Sequence, residues 1–237
     1  MTLRSIFPAV ILASASLGFA QAESFDAYAS NLALLQDKRI QTELGITEAQ
    51  RKTLNTHAEW YNAQTASVQK AAPNAKTQAQ QQELSKRLQS LMGQMKTRCL
   101  KVLTPGQTKR LRELSLQLQG PAVLLDDRVA KQVGATADQL KKMRALYEGN
   151  IKKVSAMQER TFRPIAQKYE KQAKGKSGDA LKKIQEAMNK EMQTAQMRVQ
   201  PQVQALATDT RNGILKLLTP AQRTKMQTLM GKPFKFQ

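Results

Sequence analysis

The sequence predicts an all-α fold: an elongated, curved body of two tandem helical-hairpin units with antiparallel long helices. Three observations carry this. Aromatic residues are 5% of the 237, strand formers are sparse, and Gln, Lys, Ala and Leu dominate, which is helical composition. Apolar residues recur every three or four positions in long, narrow stripes. A helix-start pattern, Thr-x-x-Gln, recurs at matched places in the two halves of the chain.

Residues 1–22 read as a cleavable secretory leader. Met1–Arg4 is a short basic start, Ser5–Ala20 is apolar and small, and Ala20-Gln21-Ala22 is a small-x-small cleavage site. The apolar run is short and interrupted by Pro8, so it does not suit a membrane span. The expected mature chain is exported, soluble and periplasmic. It holds one cysteine, Cys99, and so has no internal disulfide.

The unit predicted over 23–119 opens with a short helix and then Thr47-x-x-Gln50. A long helix carries Leu54, Ala58, Tyr61, Thr65 and Val68, and "AAPNAK" (71–76) forms the turn. The returning helix carries Leu84, Leu88, Leu91, Met95, Cys99 and Val102. "LTPGQ" (Leu103, Thr104, Gln107) starts a closing helix that ends at Gly120-Pro121. The unit predicted over 120–237 repeats this order. "LLDDRVAKQVGATADQLKKM" (124–143) aligns with "LLQDKRIQTELGITEAQRKTL" (34–54), matching Asp126 to Asp37, Arg128 to Arg39 and Gly134 to Gly45. Thr136 and Gln139 match Thr47 and Gln50. Its stripes are Leu140, Met143, Tyr147, Ile151, Val154, Thr161, Ile165, Tyr169, and then Leu181, Ile184, Met188, Met192, Ala195, Val199, Val203, Leu206, Leu217, broken by Thr210. The turn is "KGKSGD" (174–179), "LTPAQ" (Leu218, Thr219, Gln222) starts the closing helix, and "GKPF" (231–234) ends it.

Threonine caps a helix by accepting from a free backbone N–H. Proline suits the first helical position, and glutamine three residues after the cap reaches back to the cap's own N–H. Thr47–Gln50, Thr104–Gln107, Thr136–Gln139 and Thr219–Gln222 are therefore predicted capping boxes. Thr77–Gln80 and Thr224–Gln227 read as chance matches in a Gln-rich chain. Thr47 and Thr104 are 57 residues apart, and Thr136 and Thr219 are 83 apart. The excess puts 13 residues into each arm of the second hairpin, about 20 Å at the helical rise. Pro164 and Pro201 in those arms are expected to bend them.

Once Arg4 leaves with the leader, 37 basic side chains face 18 acidic ones, a net +19. Residues 120–237 carry +13 of this. Export argues against nucleic acid as the partner. Anionic lipid, lipopolysaccharide, acidic polymers or negatively charged polypeptides fit better. Lysines such as Lys141, Lys142, Lys152, Lys153, Lys182 and Lys183 also serve simply to solvate long helices.

Enzyme chemistry finds no support. The one histidine, His57, lies mid-helix without a metal-ligating partner at helical spacing, and neither a nucleophile elbow nor a phosphate loop is present. No cofactor is implied. Met92, Met95 and Cys99 share a helix face and have soft-metal chemistry, but seam periodicity explains them, so no metal site is assigned. A two-helix arm cannot bury every apolar side chain. Phe162, Ile165, Tyr169, Met188 and Met192, beside Arg163 and Lys182, are therefore expected to stay partly exposed and to bind unfolded or misfolded polypeptides.

With "LGITEAQ", "LTPGQ", "VGATADQ" and "LTPAQ", the chain resembles the Spy/CpxP family of periplasmic LTxxQ-motif proteins. "VGATADQ" departs from the motif by lacking the leading Leu-Thr. The resemblance implies a thin, curved helical cradle, a homodimer in many members, and ATP-independent chaperone activity. It equally implies, as the alternative, envelope-stress or metal-responsive regulation of a membrane sensor. A structural binder of anionic envelope surfaces is a third reading. The tandem unit departs from the family and supplies in one chain what the family builds from two.

Overall fold

The structure, a computed structural model, describes residues 23–236. The expected leader, 1–22, lies outside the described residues. Among those described there are nine α-helices and no strand. The first unit runs α1 (Phe25–Ala29), a short 3-10 turn (Leu32–Gln36), α2 (Lys38–Glu43), α3 (Glu48–Ala71), α4 (Gln78–Val102) and α5 (Pro105–Gln119). The second runs through a 3-10 turn (Gly120–Leu125), α6 (Asp127–Val133), α7 (Ala137–Ala173), α8 (Gly178–Leu217) and α9 (Pro220–Met230).

The long pairs are antiparallel hairpins. The first has arms of 24 and 25 residues and the second of 37 and 40, as the spacing of the threonines requires. At 1.5 Å per residue α8 is about 60 Å long. Both α7 and α8 continue through their prolines, Pro164 and Pro201, although each proline leaves the carbonyl four residues earlier without its N–H donor.

The first hairpin's seam follows the predicted stripes, with Leu54, Val68, Leu91 and Cys99 buried. The second differs. Tyr147 and Ile151 lie off the seam, 39% and 47% exposed, while Met143 and Asn150 are buried. A two-helix contact is narrower than the apolar stripe, and Asn150 takes the central place because it has a partner there. Its amide donates to Thr210 Oγ1 at 2.8 Å, and Thr210 in turn donates to the Leu206 carbonyl. The residue that breaks the α8 stripe is therefore half of a cross-helix polar pair, a device that fixes register in helical seams. Nearby, a side chain at Gly213 would collide with Leu146, so glycine lets the arms approach closely. Leu88 in the middle of α4 and Leu181 in the first turn of α8 are 36% and 39% exposed.

Two apolar cores lie at the hairpin roots, and the chain's ends cross between them. The first is built from Leu34, Ile40, Leu54, Cys99, Leu103, Leu111 and Leu114, with Phe234 and Phe236 of the C-terminal tail packed against it. The second is built from Leu116, Leu124, Val133, Met143, Ile214, Leu218 and Met226, with Phe25 and Ala29 of α1 against it. The repeated Asp-x-Arg pair makes these crossings. Asp126 caps α6 and accepts a hydrogen bond from Tyr28 Oη, while Arg128 stacks 4.2 Å over the Tyr28 ring. Asp37 caps α2, and Arg39 donates to the Phe236 carbonyl. Helix α5 joins both cores. Its Gln117 donates to the Met230 and Lys232 carbonyls and accepts from Phe234 N–H, and buried Arg112 binds Asp26 and the Leu229 carbonyl.

Candidate functional site

The four predicted capping boxes are all formed. Thr47, Thr104, Thr136 and Thr219 accept from the N–H of Gln50, Gln107, Gln139 and Gln222, whose side-chain oxygens accept from the four threonine N–H groups. Thr77–Gln80, read from sequence as a chance match, is also a capping box and starts α4. The turn before it leaves the first N–H groups of α4 unpaired, and any Thr-x-x-Gln placed there satisfies them. Thr224 is mid-helix and donates to the Pro220 carbonyl.

Capping is only half of what the motif does. The opening and closing boxes of each unit meet at the hairpin root, and their glutamines exchange amide hydrogen bonds. Gln50 and Gln107 do so at 2.8 and 3.1 Å, and Gln139 and Gln222 at 2.9 Å in both directions. The second N–H of each opening glutamine goes to the end of the returning helix, at the Val102 or Leu217 carbonyl. That of each closing glutamine goes to Gly45 or Gly134. Each amide thus uses two donors and two acceptances, its full ordinary capacity. The leading Leu103 and Leu218 are buried in the two cores. Glutamate serves equally three residues after the cap, but only glutamine can also donate. Glutamine is required for the pairing without being a signal of it, since the Thr77–Gln80 box also has glutamine and forms a cap alone.

The second feature is the outer half of the second hairpin. Ile165 and Tyr169 were expected to stay exposed and are instead buried, forming a cluster with Ala195. They are the inward positions of α7 facing α8, so the two arms cover them without a third layer. Phe162, Ile184, Met188 and Met192 pack around them and remain half-buried. Arg163 and Lys182 are exposed; Arg163 pairs with Glu159, and Lys182 makes no ion pair among the described residues. The Tyr169 hydroxyl and the Lys168 ammonium both donate to Glu191, at 2.8 and 2.6 Å. Lys168, with Tyr169 second, holds the Glu191 carboxyl below the usual carboxylate range, and the bond to Glu191 pushes the Tyr169 phenol up.

The third feature is the Met92, Met95, Cys99 face. The helix splits it. Met92 is 60% exposed and points away, because Leu91 takes the seam position, while Cys99 is buried with its Sγ 3.8 Å from Met95 Sδ. Burial pushes the Cys99 thiol above its ordinary pKa, away from the thiolate that a metal needs. Among the described residues no group of three or more His, Cys, Asp or Glu side chains is placed to hold a metal ion. His57 lies half-buried on α3. No described helix is long and apolar enough to cross a membrane.

Comparison with protein-family models, with curated proteins and with solved structures finds no match.

Proposed function

We propose that this chain is an exported, ATP-independent holding chaperone of the periplasm, without enzymatic activity, and that it binds unfolded polypeptides along the outer half of its second hairpin. One observation carries the reading. The distal apolar cluster draws on two helices alone, so Phe162, Ile184, Met188 and Met192 keep part of their surface in water, beside a large excess of cations. Ile165 and Tyr169 support this surface from beneath rather than forming it. Methionine adapts to unlike apolar partners, and charge raises the rate of encounter. The resemblance to the Spy/CpxP family, carried by the four Thr-x-x-Gln corners, belongs to the same reading and favours a chaperone over a catalyst.

The experiment is light scattering from an aggregating client protein, without nucleotide, with the full chain or with a shortened one. The shortened chain lacks two heptads from each arm around the 174–179 turn, which keeps the seam in register and leaves the capping boxes untouched. The full chain should suppress scattering. The shortened chain should fold and suppress it far less, with weaker salt dependence. Equal suppression by both would move the client surface off this arm; no suppression by the full chain would end the reading.

A further inference from the structure

We infer that the end of the second hairpin, residues 171–183, is a docking surface for an anionic phospholipid bilayer. These thirteen residues carry Lys171, Lys174, Lys176, Lys182 and Lys183 against one acid, Asp179. None of the five lysines has a carboxylate within ion-pair distance among the described residues. They come from the last turn of α7, from the connecting turn and from the first turns of α8, so they cap a projecting end rather than line a groove.

Apolar surface sits among them. Leu181 is 39% exposed. It borders an open notch of roughly 180 Å³ between the arms, lined also by Ala173, Ile184 and Met188, with Tyr169 beneath and Glu170 at the side. A bilayer interface accepts this combination. Lysine stems lie along apolar surface while their heads reach the headgroups, and an exposed leucine enters the boundary beneath them.

The chain contains its own comparison. The first hairpin has the same architecture, yet its end, 71–83, carries one lysine, one glutamate and a run of glutamines. A basic end is therefore not needed to solvate such a turn. It occurs only on the hairpin whose arms project about 20 Å further. The cations are all lysine, with no arginine between Arg163 and Arg198. Lysine is a point charge suited to a diffuse anionic field, whereas a matched acidic protein surface favours the bidentate guanidinium. Each lysine close to an anionic leaflet adds about a fivefold gain in partition.

The test is co-sedimentation of the leaderless chain with vesicles of phosphatidylcholine containing roughly a third phosphatidylglycerol, and with neutral phosphatidylcholine vesicles. The chain should sediment with the anionic vesicles only. Changing Lys171, Lys174, Lys176, Lys182 and Lys183 to Gln should lower that partition at least about a hundredfold, and changing the same five to Arg should preserve it. A matched variant with Lys52, Lys70, Lys76, Lys86 and Lys101 changed to Gln removes equal charge from exposed positions of the first hairpin and should bind within about threefold of the parent. Equal loss in both Gln variants would assign binding to net charge and overturn the site. So would absence of sedimentation, or binding of soluble polyglutamate as tight as that of the vesicles. Aggregation suppression is read separately, so either proposal can fail alone.

Discussion

Gln50 and Gln107, 57 residues apart, exchange two amide hydrogen bonds across the root of the first hairpin, while each also closes its own helix cap. The cap and the cross-link can be separated by one atom. Gln50→Glu keeps an oxygen for the Thr47 N–H but loses the donor to Gln107 and Val102, and it sets a carboxylate against two oxygens. Thr104→Ala should cost about 1 kcal/mol, an ordinary cap. Gln50→Glu should cost roughly 2 kcal/mol or more at neutral pH. The carboxyl's pKa would be raised in the folded state, so part of that loss should return as pH falls through the carboxylate range and the group regains a donor. Urea unfolding of both variants at neutral and acidic pH decides the matter; a Gln50→Glu chain as stable as the parent at pH 7 would leave the pairing without energetic weight.

The C-terminal tail is part of the first core. Phe234 and Phe236 pack against the cluster that includes Leu34, Ile40 and Leu44, and Arg39, Arg110 and Gln117 hold the tail's backbone. Phe234→Ala with Phe236→Ala should destabilise the chain by about 2–4 kcal/mol, less than two full core truncations because both rings are only partly buried. Trp60, the single tryptophan, lies on α3 of the first hairpin. Its fluorescence should therefore report a lower unfolding midpoint although the substitutions lie at the far end of the chain. An unchanged midpoint would separate the tail from the first core.

Tyr28 bridges α1 to the second unit, and its phenol is pushed up to about 12, first by burial and then by its bond to Asp126. A raised phenol pKa means that the folded state prefers neutral Tyr28. The stability so contributed is complete below the ordinary tyrosine value and is lost as pH rises through about 12. Tyr28→Phe should remove the corresponding phenolate step from an absorbance titration of the four tyrosines. A parent-minus-variant difference centred near pH 10 would contradict the burial of this contact.

Cys99 is 2% exposed beside Met95, with Met92 turned outward. Native protein should therefore react slowly with a thiol reagent and at full rate in denaturant. Isothermal titration of reduced protein with copper or zinc should give no stoichiometric binding. One tight equivalent, lost in Met92→Leu with Cys99→Ser, would require the helix to rearrange and would restore the metal-responsive alternative.

The sequence by itself determined what depends on neighbours along the chain. Four of the five capping boxes, the breaks at 71–76, 174–179 and 231–234, and the unequal hairpin lengths were legible because each rests on residues within one helical turn or on a count of residues. What it could not decide was how wide a part of each stripe faces the partner helix. Met92, read as part of the first seam beside Leu91, stays outside it, and in the second hairpin Asn150 buries and Ile151 does not. A two-helix contact is narrower than the apolar face that flanks it, and the choice is made by the opposing side chains, Thr210 above all. For the same reason Ile165 and Tyr169 were legible as apolar and distal but not as covered. The last position of each paired box is glutamine rather than glutamate, yet the partners lie 57 and 83 residues away. Only the closed hairpin brings them together, because the two capping boxes share a root once the arms have zipped. The crossing of the chain's ends left no local trace. Phe25, Phe234 and Phe236 are ordinary terminal aromatics until the second unit folds against the first and each core recruits the end of the chain that reaches it.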